Sequence, residues 1–296
     1  MTGKSWTQRI ILSIVFLISS LGAAAQAADL RLGVLANRGE LEATARWTEF
    51  ANYLGGELGQ TVVLIPLPPE KVAAAAKAGE VDFVLSHSPH TVLLKESLGG
   101  QVLATLNTPA GAEFGGVIIA KKGSGIHSAE DLRGKQVMSL KFKSAAGAYI
   151  FQSYHLVQKG VDPHRDLGSL REGKKQDDLV LAVRNGLIDA AFVRTGLMET
   201  MQKEGKIRLD EFEIVDRRED AGFPFVHSTA LYPEWCFTAL PGVSPELAQQ
   251  TQAILLKVTP DMPMAQKARI KGFVEARPLS ELTDALRTLQ IEPFGS

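Results

Sequence analysis

Cysteine is the scarcest residue of this 296-residue chain, which holds Cys236 and no other. One cysteine excludes an intrachain disulfide scaffold and a cysteine-based zinc array. Charge of one sign is not in excess either, because 32 basic residues stand against 33 acidic ones. Since this balance provides no general basic field, the composition argues against nucleic acid as the main partner.

Glycine and proline are not enriched, at 27 and 14 residues, while 45% of the chain is hydrophobic and 22% is charged. These proportions exclude collagen-like and disordered chains. The length is sufficient for two domains or one large domain. We therefore expect a folded globular protein.

The longest apolar run lies at the N-terminus. Lys4 and Arg9 precede an apolar run at 10–21, and an Ala-Gln-Ala sequence stands at 25–27. This is the pattern of a secretory signal. A membrane anchor is the alternative, but the run is shorter than the roughly 20 residues that span a bilayer. We predict a cleaved signal peptide over residues 1–27 and export of the remaining chain to the periplasm.

Short apolar runs alternate with helical patterns in the rest of the chain. Trp47, Phe50 and Leu54 recur on one helix face between apolar strands at 30–35 and 61–67. The alternation restarts near Phe114, whereas the last part of the chain is predicted to be helical without a sheet of its own. Such a βαβ order implies parallel strands joined by right-handed crossovers.

Two units of this kind in series predict an α/β fold of two lobes, each a mostly parallel sheet flanked by helices. Residues 28–112 and 222–296 are expected to form the first lobe and 113–221 the second, with hinges near Gly115 and Gly222. Ligands of open α/β sheets bind beyond the carboxyl ends of the strands. The two facing lobes therefore predict a ligand cleft between them.

Several segments resemble a family of binding proteins. Segments similar to the phosphate/phosphite/phosphonate-type periplasmic substrate-binding proteins are GIHSAEDLRGKQV at 125–137, VDFVL at 81–85 and AVRNGLIDAA at 182–191. Segments that resemble the sensor-domain branch of tetrathionate-type sensory histidine kinases are VRTG at 193–196, HST at 227–229 and LYPEW at 231–235. The resemblance implies a two-lobed, type II-like periplasmic binding protein fold.

Three positions depart from the pattern of that family. The segment that resembles the family's Ser-Thr-Ser-Gly loop reads Ser-Ala-Ala-Gly at 144–147, so two hydroxyl donors are missing. Gln176 stands where the family has a histidine, and Asn37 where it has an aromatic residue. These departures argue against specificity for phosphonate and leave the expected fold unchanged.

The loop that leads into a helix predicted over 144–159 is a candidate anion site, because free N–H groups and the helix dipole favour negative charge there. Ser144 offers a hydroxyl, and Gly147 allows an oxyanion to approach the main chain. Lys141 and Lys143 alternate along extended chain, so only one of them is expected to face the cleft. An ordinary helix cap with solvated lysines is the alternative.

Arg194 and Thr195 follow a buried strand at its carboxyl end. A guanidinium in this position can bind an oxyanion through two hydrogen bonds. An ion pair inside the lobe is the alternative for Arg194. Gln176 precedes a helix, and either contacts the ligand or caps that helix.

The first lobe offers Asn37 and Arg38 after its first strand, and His87 and Ser88 after its third strand, at a second helix N-terminus. These residues either line the cleft wall or lie in surface loops. His87 and His90 also raise the possibility of a metal site, but no third ligand stands at a diagnostic spacing. The sequence therefore predicts neither a metal nor a cofactor.

His227 follows the return crossing, and either reaches the cleft or stabilises the strand between the lobes. Together with Cys236 it suggests a thiol enzyme. However, the sequence has no nucleophile elbow, no P-loop and no dinucleotide fingerprint. Trp235 and Phe237 flank Cys236, which is typical of a buried apolar residue. We therefore predict that the chain is not an enzyme.

The sequence thus predicts a monomeric periplasmic solute-binding protein that closes on a small oxyanion, either phosphonate- or phosphate-like or a sulfur oxyanion. Its expected partner is the membrane permease of an ABC transporter. One alternative is a ligand sensor that works with a separate sensor histidine kinase responding to tetrathionate or thiosulfate. Another is a signalling adaptor whose cleft is vestigial.

Overall fold

The computed structural model describes residues 29–295, so the predicted signal peptide lies outside the described residues. The strands are β1 (Leu30–Leu35), β2 (Val62–Leu67), β3 (Phe83–Ser86), β4 (Gln101–Asn107), β5 (Glu113–Phe114), β6 (Gly116–Lys121), β7 (Gln136–Ser139), β8 (Ser169–Glu172), β9 (Ala190–Arg194), β10 (Phe212–Ile214), β11 (Tyr232–Pro233), β12 (Cys236–Ala239) and β13 (Gly272–Glu275). The helices are α1 (Glu40–Leu58), α2 (Val72–Lys77), α3 (Ser88–Leu98), α4 (Ile150–Gln158), α5 (Gln176–Arg184), α6 (Leu197–Lys203), α7 (Pro245–Leu255), α8 (Pro263–Ala268) and α9 (Ser280–Thr288).

Two open sheets organise the protein. The first has six strands in the order β13-β4-β12-β3-β1-β2, and β1 to β4 run in one direction while β12 and β13 run in the other. The second has five strands in the order β10-β6-β9-β7-β8, and β6 alone runs against the rest. In each sheet most strands run in one direction and helices flank the strands, so the predicted two-lobed α/β fold is confirmed.

The segments that connect the two sheets pair with each other. β5 and β11 form a two-stranded antiparallel ladder in which Tyr232 lies opposite Phe114. Beside this ladder the hydroxyl of Thr229 accepts a hydrogen bond of 2.9 Å from the backbone N–H of Gly116. The outgoing and returning chains therefore form one connection between the sheets. The exact lobe boundaries, 28–112 with 222–296 and 113–221, stay a prediction.

Aromatic side chains fill the core of the first sheet. Trp47, Phe50 and Leu54 of α1 are at most 1% exposed, as their spacing predicts. The ring of Phe50 lies 6.3 Å from that of Phe237 and 5.5 Å from that of Phe273. Burying each side chain of this size stabilises the fold by about 1.5–3 kcal/mol. The α1 stripe therefore anchors the helix to β12 and β13.

The C-terminal helix α9 packs against elements of both halves of the chain. Leu282 and Leu286 belong to one buried cluster with Val92 of α3 and with Ile150 and Phe151 of α4. α3 follows the first sheet's β3, whereas α4 follows the second sheet's β7. The end of the chain thus packs against helices of both halves through apolar contacts.

Two sequence-based predictions of local structure were wrong. The C-terminal part of the chain does have a strand in a sheet, because β13 extends the edge of the first sheet beside β4. The helix predicted from Ser144 begins at Ile150 instead, and a 3₁₀ turn at Ala146–Ala148 precedes it. Gly147 in this turn is buried against Gly115, and the tight packing of the two main chains holds residues 141–149 in a loop.

Within residues 29–295, no helix combines the length and the hydropathy that crossing a bilayer requires.

Candidate functional site

The carboxyl ends of β1 and β3 carry the predicted residues of the first lobe. Asn37 and Arg38 lie exposed in the turn after β1, and Arg38 Nη1 lies 3.8 Å from Glu42 Oε1. His87 and Ser88 follow β3, and α3 begins at Ser88. These positions agree with a cleft wall, because ligands of such sheets bind at this end.

Two histidines stack at the start of α3. The rings of His87 and His90 lie 4.0 Å apart, and Nδ1 of His87 accepts a hydrogen bond of 3.4 Å from the backbone N–H of His90. Burial lowers the pKa of His87 to about 4 and that of His90 well below its ordinary value. Both imidazoles are therefore neutral at pH 7, and each can donate a hydrogen bond without contributing a charge.

Three buried polar atoms at the same place make no hydrogen bond in the structure: Oγ of Ser86, Oγ of Ser88 and Nδ1 of His90. Ser86 and Ser88 are both 0% exposed. Buried polar groups normally have partners, and a helix N-terminus attracts anions. This combination marks the α3 N-terminus as a candidate binding surface of the first lobe.

Arg194 at the end of β9 is the central cation of the second lobe. Its Nη2 donates a hydrogen bond to Oε1 of Glu234, and its Cζ lies 4.4 Å from the ring centroid of Phe114. Its backbone N–H donates to Oε1 of Gln176 at 2.7 Å. Its Nε is buried and makes no hydrogen bond. The guanidinium is thus fixed by a carboxylate and an aromatic face while 43% of the side chain stays exposed.

Glu234 is 3% exposed and lies between β11 and β12, on the chain that returns to the first sheet. Burial raises the pKa of its carboxyl group, and the positive charges of Arg194 and Arg46 oppose that shift. The backbone N–H of Trp235 also favours the ionised form. The carboxylate therefore depends on Arg194 for its charge, as a buried ion does.

The loop before α4 lies against Arg194. A Cβ atom on Gly147 would lie 3.2 Å from Cγ of Arg194 and 3.1 Å from Cε2 of Phe114. Nε2 of the fully buried Gln152 donates to the carbonyl oxygens of Gly147 at 2.8 Å and of Val193 at 2.9 Å. The loop and the end of β9 are therefore fastened to each other.

The other predicted residues of this loop lie nearer to solvent. Lys141 and Lys143 are exposed, and Lys143 has a positive φ of 65°. Ser144 is half-buried but does not cap α4, because that helix begins at Ile150. The structure thus brings Gly147 and Gln176 to Arg194, whereas the two lysines are exposed to solvent.

Two predicted residues, Thr195 and His227, have hydrogen-bond partners in the chain that connects the sheets. Oγ1 of Thr195 accepts a hydrogen bond of 3.2 Å from the backbone N–H of Gly115. His227 is 0% exposed, and its Nδ1 lies 2.7 Å from the carbonyl oxygen of Thr229. His227 therefore fits the alternative role, that of stabilising the chain between the sheets.

Cys236 is buried beside Thr105, and its thiol donates to the carbonyl oxygen of Glu234 at 3.4 Å. Burial raises the pKa of this thiol to about 12. A thiol with this pKa is protonated at pH 7 and is a poor nucleophile. Within residues 29–295, no group of three or more His, Cys, Asp or Glu side chains is arranged to hold a metal ion.

Sequence reasoning missed Glu234 and Phe114, the two side chains that hold the Arg194 guanidinium. The one available signal was a carboxylate in the otherwise apolar and aromatic run at 231–237. Charged residues are almost never fully buried unless they are paired. The run therefore predicts that Glu234 has a cationic partner, but nothing in the sequence spacing identifies Arg194 as that partner.

The sequence and the fold of this chain are similar to those of known proteins. A family model described as the periplasmic substrate-binding protein of the phosphonate ABC transporter matches residues 32–281. The tetrathionate sensor histidine kinase TtrS of Salmonella typhimurium is 32% identical over 261 residues, which cover 86% of this chain and 43% of that protein. The chain thus spans less than half the length of this curated relative.

Solved structures share the fold. XAC2383 from Xanthomonas citri bound to ATP has a TM-score of 0.73 at 18% identity, with 89% of this chain and 98% of that chain covered. PhnD1 from Prochlorococcus marinus in complex with methylphosphonate has a TM-score of 0.67 at 16% identity, with 88% and 98% covered. At such identities the likeness is one of fold alone.

Proposed function

The chain belongs to the periplasmic substrate-binding proteins of the phosphonate ABC transporter family, and from this premise we propose that it binds a small oxyanion in the cleft between its lobes. Membership in this family implies an extracytoplasmic location and a role in binding small ligands. The predicted signal peptide and a periplasmic location are part of the proposal. The residues that hold the ligand are part of it as well.

The observation that carries the proposal is the position of Arg194. Its side chain stands at the carboxyl end of β9 and is partly exposed, and its Cγ lies close to Gly147. A planar guanidinium binds a tetrahedral or planar oxyanion through two parallel N–H donors. In this proposal Arg194 supplies the positive charge, and the loop at 141–147 supplies main-chain donors at its side.

The first lobe would supply the neutral donors. Ser88 and His90 at the N-terminus of α3 have buried polar atoms without partners, and neither adds a charge at pH 7. Closure of the two lobes replaces the water shell of the anion by these fixed donors and by Arg194. In this arrangement Arg194 carries the positive charge, and the donors of the first lobe are neutral.

A sulfur oxyanion such as thiosulfate or tetrathionate is the ligand class we favour over phosphonate. Two observations support it: the 32% identity with a tetrathionate sensor kinase, and the alanines at 145 and 146 in place of hydroxyl donors. Phosphate and phosphonate oxygens are more basic than the oxygens of thiosulfate and tetrathionate, so they gain more from hydroxyl and amide donors. A loop poorer in hydroxyls is matched better to a weakly basic sulfur oxyanion.

Delivery of the ligand to an ABC permease is the role that the family favours. The similarity to a sensor kinase supports a second candidate, in which the chain presents its liganded form to a sensor histidine kinase. In both cases the ligand changes the relative position of the lobes, and a membrane partner distinguishes the two forms.

Thermal unfolding with an anion panel tests the proposal. Phosphate, methylphosphonate, sulfate, thiosulfate and tetrathionate are added at matched ionic strength. A ligand at 100 times its Kd stabilises the folded state by about 2.7 kcal/mol. We expect a specific rise of the unfolding temperature with a sulfur oxyanion. A flat response to all five anions would overturn the proposal and favour a vestigial cleft.

A further inference from the structure

The ion pair between Arg194 and Glu234 joins the two sheets. Arg194 ends β9 of the second sheet, whereas Glu234 directly precedes Trp235 and the first sheet's β12. The glutamate is 3% exposed, but 43% of the arginine side chain is exposed. The pair therefore joins a buried carboxylate to an arginine side chain that is partly exposed to solvent.

The carboxylate occupies only part of the edge that the guanidinium offers. Nη2 of Arg194 donates to Glu234, but Nε makes no hydrogen bond although it is buried. Nε and Nη2 form the edge through which arginine binds two oxygens of one anion. Glu234 thus holds the same edge that an oxyanion would use, and it satisfies that edge incompletely.

We propose that Glu234 is a built-in competitor of the ligand, so that an oxyanion binds Arg194 by displacing the Glu234 carboxylate, which then takes up a proton from solvent. This inference rests on the oxyanion-binding function proposed above. The step balances: the carboxylate–guanidinium pair, one anion and one proton become a guanidinium–anion pair and a neutral carboxylic acid. No bond other than the O–H bond of Glu234 forms.

The surroundings of Glu234 explain why its release is linked to a proton. The charged groups that act on it are Arg194 from β9 and Arg46 from α1, and its own backbone neighbour Trp235 offers an N–H. Arg46 is itself engaged, since its Nε donates to the carbonyl oxygen of Ala268 at 2.7 Å. Without Arg194, burial disfavours the ionised carboxylate, and a buried carboxyl group becomes neutral rather than remain charged.

Competition predicts a pH dependence of binding with a definite sign. Because the bound form holds one proton more than the free form, the affinity for the oxyanion increases as the pH falls. The dependence ends at the pH below which Glu234 is already protonated in the free protein. A glutamine at 234 removes both the competing charge and the proton.

Isothermal titration with thiosulfate, and with methylphosphonate as a second probe, tests the inference on the exported chain. Titrations with thiosulfate, which does not itself titrate near neutral pH, give the number of protons taken up when they are done at pH 7.5 in Hepes and in Tris buffer. We expect up to one proton per anion for the wild type. Glu234→Gln should bind at least tenfold more tightly and take up none. Glu213→Gln is the matched control and should behave as the wild type. Glu213 lies on the edge strand β10 and accepts a hydrogen bond from Lys122, which follows β6.

Thermal unfolding first establishes that both variants fold. Equal or weaker binding by Glu234→Gln, or proton uptake that persists in it, overturns the inference and leaves the proposed function intact. Binding by Glu234→Gln alone, with none by the wild type, supports both. Failure of the wild type and of Glu234→Gln to bind either anion overturns the proposed function, and the inference with it.

Discussion

Gly147 lies so close to Gly115 that a Cβ atom on Gly147 would stand 3.1 Å from the carbonyl oxygen of Gly115. Gly147 belongs to the loop after β7, and Gly115 belongs to the chain that enters the second sheet between β5 and β6. Their contact holds the candidate anion loop against the connection between the sheets. A side chain at 147 would have to move both the connection and Arg194.

The substitution Gly147→Ala is therefore expected to destabilise the protein by about 1–3 kcal/mol, the usual cost of overpacking a tight site. It should also weaken oxyanion binding, because the added methyl group reaches Cγ of Arg194. Chemical denaturation and titration with thiosulfate measure the two effects. Gly56→Ala is the control: a Cβ atom there meets nothing within 4 Å, and in helix α1 it should stabilise by about 0.5–1 kcal/mol. Equal stability of Gly147→Ala and the wild type would contradict the close approach.

Removal of Arg194 alone should cost more than removal of the whole ion pair. Arg194→Met leaves the Glu234 carboxylate buried without its partner, and breaking a buried pair in this way costs about 3–5 kcal/mol. In Arg194→Met/Glu234→Gln no charge is left, so we expect the double variant to be the more stable of the two. Urea unfolding at pH 7.5 measures both. Costs that simply add would show that the two residues do not interact in solution.

The cost of Arg194→Met should also diminish as the pH falls. Burial already raises the pKa of Glu234, and loss of Arg194 removes an interaction that lowers it. In the variant, the folded state then binds a proton that the unfolded state binds only at lower pH. The stability of the variant therefore increases as the pH falls toward the range in which unfolded glutamate is protonated. A deficit that is the same at pH 5 and pH 8 would contradict this account.

The contribution of Arg194 to anion affinity must be measured in variants that are fully folded. We expect Arg194→Ala/Glu234→Gln to bind thiosulfate at least tenfold more weakly than Glu234→Gln, because the only difference is the guanidinium edge. Titration calorimetry of folded protein compares the two. Arg217→Ala, which removes a guanidinium paired with Glu219 at the surface, is the control and should bind as the wild type does. Unchanged affinity without Arg194 would remove it from the site.

The sequence was sufficient to predict the fold and the position of Arg194. Strand and helix patterns imply parallel sheets, and the carboxyl end of a buried strand is a known place for ligand-binding residues. The partner of Arg194 was not predictable in the same way. Glu234 is 40 residues away along the chain, and no periodicity connects the two positions. Pairings of this kind depend on how the two sheets meet.

Short elements also limit what can be predicted from the sequence. β13 has only four residues, and such a run is too brief for an alternation of apolar and polar side chains to predict a strand. The start of α4 was misplaced for a different reason. Ser144 is a good N-cap by residue type, but the packing of Gly147 on Gly115 prevents the helix from beginning there. Tertiary contact decided a boundary that local preference had placed six residues earlier.

Acid should destabilise the protein through His87. Burial lowers the pKa of this imidazole to about 4, against about 6.5 in an unfolded chain. Between these two pKa values the unfolded state binds a proton that the folded state does not bind. The free energy of unfolding therefore decreases as the pH falls from about 6.5 to about 4. The loss amounts to about 3 kcal/mol. His87→Asn keeps an N-cap acceptor for the N–H of His90 and should reduce this slope in urea unfolding at a series of pH values. The part of the slope that is due to His90, whose pKa burial also lowers, should remain. A slope in His87→Asn equal to that of the wild type would assign the acid effect to His90 and other groups.

The thiol of Cys236 should be inert in the folded protein. Burial raises its pKa to about 12, so at pH 8 the thiolate is about a thousandfold less abundant than for an exposed cysteine. We expect reaction with a disulfide reagent to be slower by at least that factor in native buffer and to proceed at the ordinary rate in concentrated urea. Cys236→Ser should bind thiosulfate with unchanged affinity, because the thiol contacts the carbonyl oxygen of Glu234 and not the Arg194 guanidinium. Rapid native labelling, or loss of binding in Cys236→Ser, would instead place the sulfur at the ligand and revive the thiol-enzyme alternative.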